Sequence, residues 1–246
     1  MKIRNVDCVI ERRLLLNFRV DPDQVERHLP VGLRPMLVGD VAVAGICLIR
    51  LGHLRPRGLP SAFGLRTENV AHRFAVEWDD RGATRFGVYV PRRDSSSALS
   101  TFAGGRLFPG SHLRATIKTR ETDHDIEISI RNRAEPMSID VSTTDSRVLG
   151  GTLFNSLNDA VQFFRNGAQG FSPSLSGTCL EGVQLKCDRW EAQPVDVHEI
   201  RSSFFDSPTN FQPGSIEFDS GLVMRNLPVR WQATGNRRFE ETSLSH

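Results

Sequence analysis

The sequence feature that most constrains the fold is a set of segments in which apolar and polar residues alternate with a period of two. The clearest covers residues 66–78, where apolar or amphipathic side chains share one strand face with Glu68 at its end. A turn at residues 80–82 then leads into residues 84–92, which alternate in the same way. The two segments predict a long antiparallel hairpin.

Strand-like segments recur along the rest of the chain, whereas helical patterns are few. Further strands are predicted for residues 9–20, 33–37, 41–51, 113–119, 125–131, 138–143, 179–190, 195–205 and 220–231. One helix is expected to begin at Asp21-Pro22 and end before Pro30, and another to cover residues 158–165 with Ser156 or Asn158 as N-cap. Residues 53–64, which are rich in proline and glycine, are predicted to form a loop. The pattern is typical of a mainly β protein of the α+β class.

Length and charge limit the domain count and the partners. The 246 residues, 39% of them hydrophobic, suit one domain over residues 1–246, with a polar tail from about residue 234. The 31 basic and 29 acidic residues nearly cancel, which argues against nucleic acid or an anionic membrane surface as a partner. Only three basic residues are lysines; this excess of arginine can reflect base composition as much as selection for guanidinium chemistry, so we give it no weight. With neither a signal-like N-terminus nor a membrane-spanning apolar run, a cytoplasmic location is expected.

The cysteines and the short motifs indicate neither a metal nor a cofactor. Cys8, Cys47, Cys179 and Cys187 have no CxxC spacing and no paired histidines, so we expect reduced, buried thiols. Motifs for phosphate loops, dinucleotides and metallopeptidases are missing from their required contexts. The sequence therefore predicts a small-molecule ligand and no bound cofactor.

Four passages together resemble the acetoacetate decarboxylase-like superfamily, in particular a bacterial branch of unknown function. They are residues 13–33, which end in Leu-Pro-Val-Gly-Leu; Thr-Glu-Asn at 67–69; Gly-Arg-Leu-Phe-Pro-Gly at 105–110; and residues 197–203. The resemblance covers roughly residues 9–231. It implies an antiparallel sheet curled into a cone-like barrel around a partly apolar cavity, with a few peripheral helices, and a homo-oligomeric assembly.

The sequence departs from this superfamily at the residue that carries the decarboxylation. In the decarboxylases, the turn after Gly-Arg-Glu places a lysine that forms a Schiff base with the substrate. Here Gly110 occupies that position and Leu107 replaces the glutamate, while the lysines are Lys2, Lys118 and Lys186. Decarboxylation through an imine is therefore not expected.

The resemblance leaves four candidate site residues. Glu68 is the candidate acid/base, because a carboxyl group on an apolar face can exchange protons near neutral pH; the alternative is that it pairs with an arginine such as Arg106. Arg106 is the candidate anchor for a substrate carboxylate, or else braces the turn. Gly110 is the second substrate-binding candidate. His112 is an auxiliary acid/base or an ordinary residue at a strand entry.

Two functions follow from these residues. The first is non-covalent acid/base chemistry, of the lyase or isomerase type, on a small organic acid or carbonyl compound. The second is a ligand-binding or sensing module that retains the same cavity without catalysis.

Overall fold

The computed structural model describes residues 5–97, 112–134 and 136–238. Most of these residues lie in strands, which confirms the predicted mainly β fold. The strands are β1 (Asn5–Val20), β2 (Arg34–Pro35), β3 (Leu37–Val38), β4 (Val41–Pro56), β5 (Leu65–Asp80), β6 (Ala83–Ser95), β7 (Leu113–Arg114), β8 (Thr116–Glu121), β9 (Asp125–Asn132), β10 (Met137–Asp145), β11 (Gln169–Pro173), β12 (Cys179–Cys187), β13 (Gln193–Ser202), β14 (Ile216–Ala233) and β15 (Arg237–Arg238).

Within the described ranges, two short α-helices, α1 (Pro22–Glu26) and α2 (Leu157–Asn166), interrupt the strands. The Asp21 side chain caps α1 by accepting a hydrogen bond from the backbone N–H of Asp23. Ser156, one of the two predicted caps, accepts a hydrogen bond of 3.1 Å from the backbone N–H of Asp159 and so begins α2. Among the helices in the described ranges, none is long and apolar enough to cross a membrane.

Seven strands close into a ring. In order around the ring they are β6, β5, β4, β1, β14, β12 and β11. β12 pairs with both β14 and β11, and β11 pairs in parallel with β6, so the last strand returns to the first. This closure confirms the expected curled sheet, with the addition of parallel pairings at β6.

The remaining large strands form an arm that covers the outside of the ring. β13 continues the sheet from β14, and β10, β9 and β8 follow in that order. One apolar core joins this arm to the outer face of the ring, with Leu16 and Phe74 on the ring and Ile128 on the arm. A second core, which includes Leu15 and Leu185, fills much of the ring's interior, where Phe164 of α2 packs. The long ring strands are therefore buried on both faces.

Part of the predicted loop at residues 53–64 is strand. β4 continues to Pro56 because it pairs with β1 through Arg55 and with β5 through Leu54. A register shift between Leu51 and Leu54 accommodates His53, whose φ is 51°. Only Ser61–Phe63 forms a short 3-10 turn in this segment. Tertiary pairing here outweighs the local proline and glycine content.

Candidate functional site

A cavity of about 90 Å³ lies inside the ring, and all seven ring strands contribute to its lining. Because one water needs about 10–15 Å³ of such space, the cavity has room for roughly six waters or a small molecule of similar size. Much of its wall is apolar and includes Ile49, Leu51, Val88, Val90, Val183 and Leu185. An apolar enclosure with few polar groups is typical of a small-molecule site.

Three arginines interrupt this apolar wall, and each comes from a different ring strand. They are Arg13 of β1, Arg73 of β5 and Arg93 of β6. The strand register explains why they face the same way: Gly45 pairs with Arg73, and Ala71 pairs with Arg93. Residues at alternate positions of a strand share a face, so Arg73 lies on the same side as the cavity-lining Ala71.

Arg73 is the most deeply buried of the three, with 3% of its surface exposed. Its Nη2 donates a hydrogen bond of 2.6 Å to Oδ1 of Asn17, while Nε and Nη1 have no hydrogen-bond partner. The guanidinium carbon lies 4.7 Å from the ring centroid of Phe164. A methyl group at Gly45 would lie 2.9 Å from Nη2, so this glycine makes room for the guanidinium. Burial lowers the pKa of Arg73 to about 10, which still leaves it charged at neutral pH.

Each of the other two arginines uses its Nε in a hydrogen bond. Arg13 donates from Nε to Sγ of Cys47 at 3.3 Å, and its buried Nη1 has no partner. Arg93 donates from Nε to Oγ of Ser172 at 3.1 Å. Burial lowers the pKa of Arg93 to about 10 as well, which likewise leaves it charged at neutral pH.

Within the described part of the chain, no carboxylate forms an ion pair with these three cations. Asp94 also lines the cavity, but its carboxylate accepts hydrogen bonds from Arg92 at 2.9 Å and from Asn132 at 2.7 Å. None of the ion pairs formed by described residues includes Arg13, Arg73 or Arg93. The cavity is therefore a small apolar space with an excess of positive charge.

Glu68 lies on the opposite face of β5, toward the arm, and is not part of the cavity lining. Strand pairing sets Arg12, Arg50 and Glu68 side by side on β1, β4 and β5. Glu68 accepts from Arg12 Nη2 at 2.6 Å and from Arg50 Nε at 2.5 Å. Glu121 of β8 bonds the same two arginines, at 3.2 Å and 2.7 Å. Glu68 thus pairs with arginines, as the alternative interpretation had it, although with Arg12 and Arg50; its catalytic role stays a prediction.

Of the other three predicted site residues, one lines the cavity and two lie outside the described residues. His112, the residue directly before β7, lines the cavity. Arg106 and Gly110 lie outside the described residues. The structure therefore brings His112 to the arginine-lined cavity and places Glu68 on the other side of the strand.

The sequence interpretation missed Arg13, Arg73 and Cys47. A signal was present, because Arg13 precedes three leucines of a buried strand and Arg73 lies between His72 and Phe74. Alternation marks the Phe74 face of β5 as a buried one, whereas closure of the ring buries the opposite face with Arg73 as well. Giving the arginine excess no weight hid the same signal.

Other ligating groups do not come together in the described ranges. No three His, Cys, Asp or Glu side chains there lie close enough to hold a metal ion. All four cysteines are free; Cys8 and Cys47 are buried, and Cys179 and Cys187 are half-buried. The arginine cluster is thus the chemically distinctive feature of the cavity.

The closed ring with its covering arm is the fold of acetoacetate decarboxylase-like proteins, as solved structures indicate. An acetoacetate decarboxylase-like enzyme from Sphingomonas wittichii RW1 is similar with a TM-score of 0.65 at 15% identity, over 98% of this chain and 95% of that one. The enduracididine biosynthesis enzyme MppR complexed with pyruvate gives 0.60 at 13% identity, over 99% and 93%. Acetoacetate decarboxylase from Legionella pneumophila subsp. pneumophila str. Philadelphia 1 gives 0.57 at 13% identity, over 96% and 90%.

Within this class of fold, the sequence assigns the chain to a particular family. The model of DUF2071, described as an uncharacterized conserved protein, matches residues 9–215. The chain belongs to this family, and the predicted superfamily is confirmed. A comparison with curated proteins finds none that matches.

Proposed function

We propose that this protein binds a small organic acid inside the ring, with its carboxylate held by Arg13, Arg73 and Arg93. The unpartnered N–H groups of Arg13 and Arg73 in an apolar cavity carry this proposal. A buried charge without a counterion opposes folding, so its presence here is best explained by an anion that completes its bonding. Guanidinium groups suit this task because they bind both oxygens of a carboxylate.

The size of the cavity supports a ligand of few atoms. Roughly six water-sized positions correspond to a short-chain acid, and the apolar wall suits its hydrocarbon part. MppR, whose fold is similar, has been solved as a complex with pyruvate, a three-carbon keto acid. We therefore propose short keto acids and related carboxylates as the ligand class.

Proton transfer to or from the bound acid is the second part of the proposal. His112 lines the cavity and is the candidate acid/base there, while Glu68 lies on the other face of β5 in ion pairs with Arg12 and Arg50. The alternative is a sensing module, which would bind the same acid and release it unchanged. Nuclear magnetic resonance of the acid during incubation distinguishes the two. Homo-oligomeric assembly and a cytoplasmic location belong to the proposal on sequence grounds alone.

Ligand binding is tested by thermal unfolding with matched pairs of acids and amides. Pyruvate and acetoacetate are expected to raise the midpoint temperature of unfolding. At a free concentration 100 times the dissociation constant, the added free energy of unfolding is about 2.7 kcal/mol. Pyruvamide and acetoacetamide, which have the same shape without the charge, are expected to have little effect. Equal shifts with acids and amides, or no shift with a panel of short acids, would contradict the proposal.

Reduction with borohydride in the presence of acetoacetate is expected to leave the mass of the protein unchanged. Lys118 and Lys186 are exposed, and neither lines the cavity. Lys2 lies outside the described residues. An enclosed lysine is what Schiff-base chemistry of the decarboxylase type requires. A stoichiometric adduct on any of the three, located by peptide mass spectrometry, would show that imine chemistry persists.

A further inference from the structure

We propose that Cys47 is a nucleophile that forms a covalent adduct with a small carboxylate carrying an electrophilic carbon, bound first by the surrounding arginines. This inference rests on the proposed function, because the same three guanidinium groups hold the carboxylate. It adds a reactive group to what would otherwise be a binding cavity.

The position of Cys47 in the ring supports this role. It lies near the middle of β4, between Leu15 of β1 and Ala71 of β5, and its side chain lines the cavity. Arg13 donates from Nε to Sγ at 3.3 Å, which fixes the sulfur next to one of the cations. The same guanidinium has a buried, unpartnered Nη1. One arginine can therefore contact the sulfur and an incoming anion together.

The other two arginines line the same cavity as this sulfur, on the two strands that follow β4 around the ring. Burial lowers the pKa of both Arg73 and Arg93, and the negative charge of a Cys47 thiolate opposes that effect in each case. The thiolate is the reactive form of a cysteine, and cations attract that anion as well as an anionic reagent. Asp94, the lining carboxylate, is occupied by Arg92 and Asn132. The charge around Cys47 thus favours an acidic electrophile over a neutral one of equal size.

The other three cysteines provide controls within the same molecule, since none of them lines the cavity. Cys8 is buried, and burial raises its pKa to about 12. Cys187 is half-buried, and its Sγ donates to the backbone carbonyl of Arg189. Cys179 is also half-buried and contacts Nδ2 of Asn236. Cys179 in particular reports how a thiol of this protein reacts without three cations around it.

The expected reaction with iodoacetate needs no co-reactant. The Cys47 sulfur attacks the methylene carbon, a C–S bond forms as the C–I bond breaks, and iodide leaves with the bonding electron pair. The thiol proton passes to solvent. The product is a thioether whose carboxylate lies at the cavity arginines.

The test compares iodoacetate with iodoacetamide on the native full-length protein, with peptide mass spectrometry to follow each cysteine. The rate constant for iodoacetate divided by that for iodoacetamide is expected to be at least about tenfold larger at Cys47 than at Cys179. The reason is that the three cavity arginines attract the anionic reagent and not the neutral one. Pyruvate at saturating concentration should slow the reaction at Cys47 and leave Cys179 unaffected. Arg73→Met should lower the ratio at Cys47, and Arg93→Met provides a second variant should the first fail to fold.

The outcomes separate this inference from the proposed function. If neither reagent modifies Cys47 while pyruvate still raises the unfolding midpoint, Cys47 is not a nucleophile and the binding proposal stands. If Cys47 reacts with the same ratio as Cys179 and pyruvate neither protects nor stabilises the protein, both are overturned. Selective reaction at Cys47 that pyruvate blocks, together with a rise of the unfolding midpoint caused by pyruvate, supports both.

Discussion

Replacement of Arg12 by methionine is expected to lower the free energy of unfolding by about 3 kcal/mol, the loss typical when one partner of a buried ion pair is removed. The Arg12 side chain is 1% exposed and bonds both Glu68 and Glu121. Without it, the two carboxylates share Arg50 alone and repel each other at the edge of the core. Urea unfolding followed by circular dichroism measures the change.

Arg34→Met is the matched control for this variant. Arg34 also bonds two carboxylates, those of Glu77 and Asp79, but its side chain is 48% exposed. Solvent screens such a pair, so its loss is expected to leave the urea midpoint nearly unchanged. Equal effects of the two substitutions would mean that burial does not strengthen the ion network around Glu68.

Replacement of Arg73 by methionine is expected to weaken carboxylate binding by about 10-fold to 100-fold, since a hydrogen bond to a charged group contributes about 1.5–3 kcal/mol. Arg73→Met should lower the free energy of unfolding much less than Arg12→Met does, although both arginines are buried. Arg73 has no described counterion, so the relief of a buried charge offsets the loss of its hydrogen bond to Asn17 and of its contact with the Phe164 ring. Calorimetric titration with pyruvate and urea unfolding on the same variant measure both effects.

The combination of weaker binding and retained stability is what identifies Arg73 as part of a binding site. A large loss of stability with unchanged affinity would instead assign Arg73 to the structure of the ring. Arg34→Met again provides the reference, because it removes an arginine without touching the cavity.

Local patterns were sufficient to predict most strands, and the reason is visible in β5 and β6. Their side chains alternate between two environments, and β6 follows a turn in which Arg81 and Gly82 both have positive φ. β11 was missed because its five residues include glycine, serine and proline and show no alternation. It is a strand only because β6 and β12 pair with it, and such pairing is not encoded locally.

The candidate site was less predictable than the fold, for a related reason. The sequence correctly marked Glu68 as a charged residue at the end of an apolar face. Its partners Arg12 and Arg50 come from β1 and β4, and Glu121 of β8 shares them; no short-range pattern relates those strands. Likewise, Arg73 reads as a solvent-facing residue of β5 until the pairing of β12 with β14 closes the ring around it. The identity of the buried face depends on long-range register.

The closed ring has a consequence for the kinetics of ligand exchange. Each of its seven strands hydrogen-bonds to a neighbour on both sides, so the wall opens only if several backbone hydrogen bonds break together. A ligand therefore passes an end of the ring, and α2 lines the cavity through Phe164 without belonging to the wall. Substitutions in α2 are therefore expected to change the residence time of a bound acid. The same substitutions should leave the hydrogen exchange of the backbone amides in β1 and β4 slow.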